Sequence, residues 1–171
     1  MTTIATPQLQ LPRGFEFSDE TARMDRARIH RWLSTESYWA AGRQRTIQDA
    51  AIDASRNFGI FRIETREQTG QQTGQQTGEQ TKKQAGEQVA YARIVTDGVT
   101  FAWLCDVFVD SSMRGLGIGV ALIDGVCAAL EPRHLKRIML ATADAHGLYR
   151  KFGFEPLAAP DKWMAKETRP N

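Results

Sequence analysis

Residues 107–120 read VFVDSSMRGLGIGV, in which an apolar run ends and three glycines follow at alternating positions. The apolar residues at 100–109 predict a strand, and those at 119–130 predict a helix after the glycines. Glycines allow several backbone N–H groups to turn toward one point, and a helix N-terminus adds partial positive charge. This segment therefore predicts a binding site for a diphosphate or another anion, with Arg114 beside it. A simple tight turn is the alternative.

Two common nucleotide-binding motifs fit this segment poorly. A Walker loop requires Gly-Lys-Ser/Thr, whereas Gly119 is followed by Val120 and Ala121. A dinucleotide-binding fold requires an acidic residue at the end of the next strand, and the apolar run at 137–141 offers none. The sequence thus disfavours a nucleotide-binding protein.

Two motifs together resemble the GNAT superfamily of N-acetyltransferases. Residues 114–119 (RGLGIG) match the acyl-CoA motif Gln/Arg-x-x-Gly-x-Gly/Ala, and residues 148–154 (LYRKFGF) resemble the Leu-Tyr-x-x-x-Gly-Phe element. Residues 30–43 and 144–149 look like a widespread bacterial subgroup of this superfamily. The resemblance covers residues 14–165. It implies an α/β (mixed α+β) domain with a central, mostly antiparallel sheet, a splayed parallel strand pair and flanking helices.

The resemblance also implies acetyl-CoA as the co-substrate and no metal. The coenzyme lies between the strands at 100–109 and 137–141, where a backbone N–H stabilises the oxyanion that develops on the thioester. The residues whose backbone pairs with the pantetheine arm are Val107, Phe108 and Val109. The residues around the pyrophosphate are Arg114, Gly115, Leu116, Gly117, Ile118, Gly119 and Val120. The sequence departs from many relatives at Thr142, where they have Asn.

The implied reaction is direct attack of a neutral amine on the thioester, with a thiolate as the leaving group. Tyr149 matches the tyrosine acid of the family, and a packed helical tyrosine is the alternative. Asp106 is a candidate base because a buried, unpaired carboxylate has a raised pKa, although it could instead pair with an arginine. His146 lies three residues before Tyr149, so both could face one site or His146 could be structural.

The acceptor pocket implied by the resemblance lies between the first two helices and the sheet. Aromatic faces and a carboxylate suit a cationic amine, while packing in the core is the alternative for the aromatic residues. The candidate substrate residues are Glu36, Tyr38 and Trp39 between the helices, and Trp103 on the central strand.

The remaining elements follow from periodicity and turn residues. The predicted strands are 14–18, 58–65, 89–96, 154–157 and 163–165, and the predicted helices are 21–34, 47–56 and 144–152. Thr46 and Asp49 resemble a capping box, and Ile47, Ala51 and Ala54 are expected to face inward.

Two segments differ in composition from the rest. Residues 1–13 contain two prolines and no periodicity, which predicts a flexible lead-in to a single domain at 14–171. Residues 67–88 are a repeat rich in Gln, Thr and Gly, which predicts a low-complexity insertion in a hairpin loop.

Composition limits the function classes. The chain has 171 residues, 42% hydrophobic and 25% charged, with a net charge of +2, as is typical of one soluble domain. It shows no basic stripe for nucleic acid, no apolar run that spans a membrane and no signal-peptide pattern. We therefore expect a cytoplasmic protein. The resemblance to the GNAT superfamily implies a monomer or homodimer that acts on a small-molecule or peptide amine.

The leading interpretation is an acetyl-CoA-dependent N-acetyltransferase. The alternative is a non-catalytic acyl-CoA-binding sensor or interaction module, which has no use for a positioned acid at Tyr149.

Overall fold

Five strands form one sheet in the computed structural model, which describes residues 11–63 and 86–168. The sheet order is β1-β2-β3-β4-β5, and neighbouring strands are antiparallel except for the parallel pair β4 and β5. The strands are β1 (Phe15–Ser18), β2 (Arg56–Arg62), β3 (Glu87–Thr96), β4 (Phe101–Val109) and β5 (Arg137–Met139). The α-helices are α1 (Arg26–Arg31), α2 (Arg45–Asp53), α3 (Ile118–Leu130) and α4 (His146–Arg150). This architecture confirms the predicted fold class.

Apolar side chains pack on both faces of the sheet. Ala90, Ala92 and Ile94 of β3 share one buried cluster with residues of α3. Tyr91, between them in the sequence, belongs to a second cluster with Trp32 and residues of α1 and α2. Because successive side chains of a strand point to opposite faces, the central strands separate α3 from α1 and α2.

A β-bulge interrupts the pairing of β3 with β4. Tyr91 pairs with Phe108 and Arg93 pairs with Cys105, so Ala92 faces two residues of β4 instead of one. The extra residue reverses the alternation along β4. Leu104 therefore packs in the α3 cluster, whereas Phe108 packs in the α1 cluster.

The helix predicted at 21–34 is three shorter pieces. A single 3-10 turn, Thr21–Arg23, comes first, and the chain is extended before α1 begins. Asp25 starts α1 anew because its carboxylate accepts a hydrogen bond from the Arg28 backbone N–H at 3.0 Å. A wider π turn, Trp32–Glu36, continues from α1.

The second helix begins earlier than its predicted range of 47–56, and Thr46 does not cap it. Thr46 lies inside the first turn of α2, and the N-cap residue Gln44 makes no side-chain capping bond. Asp49 accepts instead from Nε of Arg45, one turn earlier, at 2.8 Å. The capping-box prediction is wrong because the helix starts before the residue taken as its cap.

The buried face of α2 also differs from the prediction. Ile47 and Ala54 are exposed and Ala51 is only half-buried, whereas Gln48 and Ile52 are fully buried. The prediction assumed that only apolar residues of α2 face inward, whereas the polar residue Gln48 occupies one of the buried positions.

The two strands predicted near the C-terminus, at 154–157 and 163–165, are not formed. Pro156 has no backbone N–H to donate to a neighbouring strand. The Trp163 ring packs instead against Arg137, whose guanidinium carbon lies 5.2 Å from the ring centroid.

Most of the predicted lead-in (1–13) and repeat insertion (67–88) lies outside the described residues. Of the lead-in, only residues 11–13 are described. Of the insertion, residues 86–88 are described, and the last two belong to β3, so the strand begins earlier than the predicted 89–96.

Gly125→Ala tests the contact of α3 with β1. A Cβ at Gly125 would lie 2.4 Å from Cε2 of Phe17, whose ring stacks on Phe58. We expect a loss of about 1–3 kcal/mol in the free energy of unfolding, measured in urea. Gly147→Ala is the control, because a Cβ at Gly147 meets no atom within 4 Å. Equal stability of both variants would contradict this packing.

Candidate active site

Strands β4 and β5 pair over only part of their course. Their last paired residues are Trp103 and Met139. β4 continues to Val109, and on the β5 side residues 104–109 have no strand partner among the described residues. The backbone of this half of β4 is therefore an open edge that can pair with an extended ligand.

Residues 110–117, which we call the glycine segment, follow directly from this edge and end at the start of α3. Gly115 and Gly117 both have φ of +80°, a left-handed conformation that L side chains rarely adopt. Gly117 is the N-cap of α3 and provides no capping side chain. The first intrahelical bond runs from the Ala121 N–H to the Gly117 carbonyl. The backbone N–H groups of residues 118–120 are therefore free to bind an anion.

Arg114 is held beside the same helix start. Its Nε donates to the carbonyl oxygen of Val109 at 3.2 Å, and its guanidinium carbon lies 5.5 Å from the Phe108 ring centroid. Leu116 and Val120 are exposed. The open strand edge, the uncapped helix and a cation thus come together at the end of β4.

Tyr149 lies in α4 and is buried, with 7% of its surface exposed. Its ring packs edge-on against Phe154, with centroids 5.8 Å apart. Burial raises the pKa of Tyr149 to about 12, and the charges of Asp144 and Tyr38 add to the effect. The Tyr149 hydroxyl makes no hydrogen bond with another described residue, so it remains a protonated donor without a protein acceptor.

Asp106 is buried but paired, so it is not the unpaired carboxylate on which its candidacy as a base depended. Arg43 binds both of its oxygens, at 2.6 and 3.2 Å, and Nε of Arg93 binds Oδ2 at 2.6 Å. Burial by itself would raise the pKa of Asp106, but the two guanidinium groups outweigh it and hold the pKa below its usual value. The alternative of an arginine partner is the one observed.

Two of the candidate acceptor residues lie near Tyr149. The Tyr38 and Trp39 rings meet edge-on, with centroids 4.9 Å apart, and both are exposed. The backbone N–H of Ala143 donates to the Tyr38 hydroxyl at 3.1 Å. This bond joins the segment before α2 to the loop before α4.

The other three candidates are more dispersed. His146 is exposed at the start of α4 and lines a cavity of about 290 Å³ together with Tyr149. Glu36 is exposed at the end of the π turn, and Trp103 is half-buried in β4. Neither Glu36 nor Trp103 forms a hydrogen bond, ion pair or ring contact with the others among the described residues.

The cavity at Tyr149 is separate from the glycine segment. It is bordered by residues 138–142, by α4 and by residues 154–157. A larger cavity, of about 450 Å³, lies between α3, β5 and residues 152–155. Neither of these two cavities is lined by residues 107–120.

Comparison with known protein families shows to which family this chain belongs. The model of the acetyltransferase (GNAT) family matches residues 26–154, which include the glycine segment and Tyr149. The chain belongs to the GNAT family of acetyltransferases.

Relatives of this GNAT chain agree with the assignment. A provisionally named acetyltransferase from Gibberella zeae is 34% identical over 155 residues, covering 88% of this chain and 84% of the relative. A crystal structure of a provisionally named GNAT acetyltransferase from Xanthomonas campestris pv. campestris has a TM-score of 0.75 and 35% identity. It covers 93% of this chain and 96% of its own. Serotonin N-acetyltransferase 2 from Oryza sativa subsp. japonica is 41% identical over 71 residues, covering 41% of this chain and 36% of the relative.

The described part of this GNAT chain has neither a cluster of metal-ligating side chains nor a helix that could span a membrane. Within residues 11–63 and 86–168, no group of three or more His, Cys, Asp and Glu side chains is arranged to hold a metal ion. Among the helices of these residues, none has both the length and the apolar character needed to cross a membrane.

Sequence reasoning missed the two arginines that bind Asp106. Arg43 is 63 residues away in the chain and Arg93 is 13 residues away. Arg43 ends the subgroup-like stretch 30–43, but nothing in the sequence pattern connects it to β4. The pairing becomes visible only when the sheet and the segment before α2 are assembled.

Proposed function

We propose that this GNAT protein transfers an acetyl group from acetyl-CoA to a primary amine. The observation that carries the proposal is the uncapped N-terminus of α3 beside the open edge of β4. Free N–H groups and a cation suit a pyrophosphate, and an unpaired strand edge suits the amide-containing pantetheine arm. The strand edge comes first and the helix N-terminus follows it, so an extended coenzyme could place its pantetheine arm on the edge and its pyrophosphate at the helix.

The residues fit this ligand in specific roles. The backbone of residues 107–109 pairs with the pantetheine arm, and residues 115–120 with Arg114 hold the pyrophosphate. Tyr149 donates a hydrogen bond to the departing sulfur. Acetyl-CoA supplies the activated acyl group when bound.

Direct attack by the amine is favoured over an acyl-cysteine route. Burial raises the pKa of both Cys105 and Cys127 to about 11. Their thiols therefore stay protonated near neutral pH, whereas a cysteine nucleophile acts as the thiolate. The incoming amine itself is then the nucleophile.

The acceptor side supports an amine with an aromatic or cationic group. Tyr38 and Trp39 present two exposed rings at right angles next to the loop before α4, and Glu36 lies two residues earlier in the chain. Such rings bind cations and other aromatic groups. Because the partial relative from rice is named for serotonin, arylalkylamines are the first acceptors to test.

The test is release of CoA thiol from acetyl-CoA in the presence of separate amine classes. Arylalkylamines, polyamines, amino acids and short peptides each provide a primary amine with different surroundings. We expect amine-dependent release with at least one class, and acetylated product by mass spectrometry. Saturable acetyl-CoA binding without transfer to any class would favour the non-catalytic sensor.

A further inference from the structure

Asp106 has an unusual backbone conformation at the point where β4 bulges. Its φ is +52°, and the only other non-glycine residue with positive φ among the described residues is His134. Such a conformation is strained for an L residue and persists when its surroundings hold it. At Asp106 those surroundings are two arginines rather than a turn.

Each arginine is itself fixed by a second contact. Nη1 of Arg43 also donates to Oε1 of Gln48 at 2.8 Å, and Nη1 of Arg93 donates to Oγ of Ser55 at 3.2 Å. The Asp106 carboxylate therefore connects β4 to β3 and to the segment before α2. Through the two arginines it is also connected to Gln48 within α2 and to Ser55 just after α2. We call the three residues Asp106, Arg43 and Arg93 the Asp106 clamp.

Backbone anchoring extends the clamp to α1. The His30 ring donates from Nε2 to the Arg43 carbonyl oxygen at 2.9 Å. Arg43 is thus held through both its backbone and its side chain. Tyr38 and Trp39 precede it by five and four residues, so Arg43 anchors one end of the segment that carries them.

The clamp is not needed simply to fill a core. Replacing a buried ion pair by well-packed apolar residues is often neutral or stabilising. What the clamp adds is a fixed position of the β4 bulge relative to residues 38–43. We call residues 38–43, which include Tyr38 and Trp39, the acceptor segment. The bulge begins at residue 106, directly before the 107–109 backbone and just beyond the last pairing of β4 with β5.

We propose that Asp106 is a positioning residue for acyl transfer, because the Asp106 clamp fixes the β4 bulge and joins it to the segment carrying Tyr38 and Trp39. The inference rests on the proposed function. Asp106 does not exchange a proton with the amine. It aligns the backbone donors of β4 with the acceptor segment.

The first test compares Asp106→Asn with Arg43→Lys. The lysine keeps the positive charge but cannot make the bidentate contact of Arg43 with the Asp106 carboxylate. Loss of an oxyanion donor costs about 10²–10³ in kcat, so a misaligned one should lower kcat by about 10- to 100-fold in both variants. The Kd for acetyl-CoA should change far less than kcat, by about threefold or less, because the pyrophosphate contacts of residues 114–120 remain in place. The shape of the pH–rate profile should be unchanged.

The matched control is His134→Ala, which removes the side chain of the other non-glycine residue with positive φ among the described residues. His134 lies between α3 and β5, outside the clamp. This substitution should leave kcat unchanged. If Asp106→Asn lowers only the melting temperature, the role is structural and the proposal is overturned. If Asp106→Asn abolishes the acid limb of the profile while Arg43→Lys behaves as wild type, Asp106 is a base and the proposal is also overturned.

A second readout does not depend on activity. Amide hydrogen exchange of Val107 and of residues 38–43 in the ligand-free protein should accelerate together in Asp106→Asn, by about tenfold or more. Acceleration at only one of the two places would overturn the coupling. A wild-type protein that binds acetyl-CoA but acetylates no amine would contradict the proposed function, while the exchange result would still decide on the clamp.

Discussion

Tyr149→Phe is expected to lower kcat by about 100-fold or more, the usual effect of removing a positioned proton donor. The Kd for acetyl-CoA should remain within about twofold, because Phe keeps the ring that packs on Phe154. Stopped-flow or steady-state measurement of CoA release gives kcat, and calorimetry gives Kd. Unchanged turnover would remove Tyr149 from the mechanism.

The pH dependence follows from the burial of the same hydroxyl. With its pKa raised to about 12, Tyr149 stays protonated at neutral and mildly alkaline pH. It therefore remains a donor at high pH, and kcat should show no alkaline decline from this group below about pH 10. A decline near pH 8 that disappears in Tyr149→Phe would contradict the raised pKa.

Tyr91→Phe controls for the loss of any buried hydroxyl. The Tyr91 hydroxyl donates to Oδ1 of Asn57 at 2.6 Å in the core. Its removal leaves a buried acceptor without this partner, which costs about 1–3 kcal/mol of stability. kcat should not change, so the two tyrosines separate a stability effect from a catalytic one.

Gly117→Val is expected to weaken acetyl-CoA binding by about tenfold to a hundredfold. The φ of +80° at Gly117 strains a β-branched residue by about 1–3 kcal/mol, and each 1.4 kcal/mol is tenfold in Kd. The chain relieves this strain by rotating the residue, which turns the N–H groups of residues 118–120 away from their common direction. Binding must reverse that rotation. Isothermal titration with acetyl-CoA measures the change.

Gly98→Val imposes nearly the same strain at a distant turn. Gly98 has φ of +78° and lies in the hairpin between β3 and β4, at the opposite end of β4 from the glycine segment. It should lower stability without changing the Kd for acetyl-CoA. Equal losses of affinity in the two variants would mean that strain anywhere in the sheet weakens binding, and that Gly117 has no special role.

The parts of the fold predicted correctly are those whose signals are local. β4 was predicted at 100–109 and is Phe101–Val109, and the helix predicted at 119–130 is α3, Ile118–Leu130. Both are long apolar runs with a glycine shortly before them, Gly98 before β4 and Gly117 before α3, and Pro132 follows the end of α3. The turn between β3 and β4 is also specified locally, because Asp97 accepts from the backbone N–H groups that follow it.

The parts predicted wrongly depend on partners far away in the chain. Alternation along β4 cannot reveal that a bulge reverses its faces, because the bulge is held by Arg43 and Arg93. The strand predicted at 154–157 lacked a neighbour to pair with. The sequence thus predicted the strand, turn and helix around the candidate site, whose signals are local, and not the contacts in which side chains from several elements meet.

The most direct test of the account is a calorimetric titration of the purified, folded protein with acetyl-CoA. We expect saturable binding at one site per chain, strongly weakened in Gly117→Val and preserved in Tyr149→Phe. Absence of binding by a protein whose circular dichroism shows a folded domain would contradict it. The glycine segment would then be a tight turn, and the open edge of β4 would have another partner.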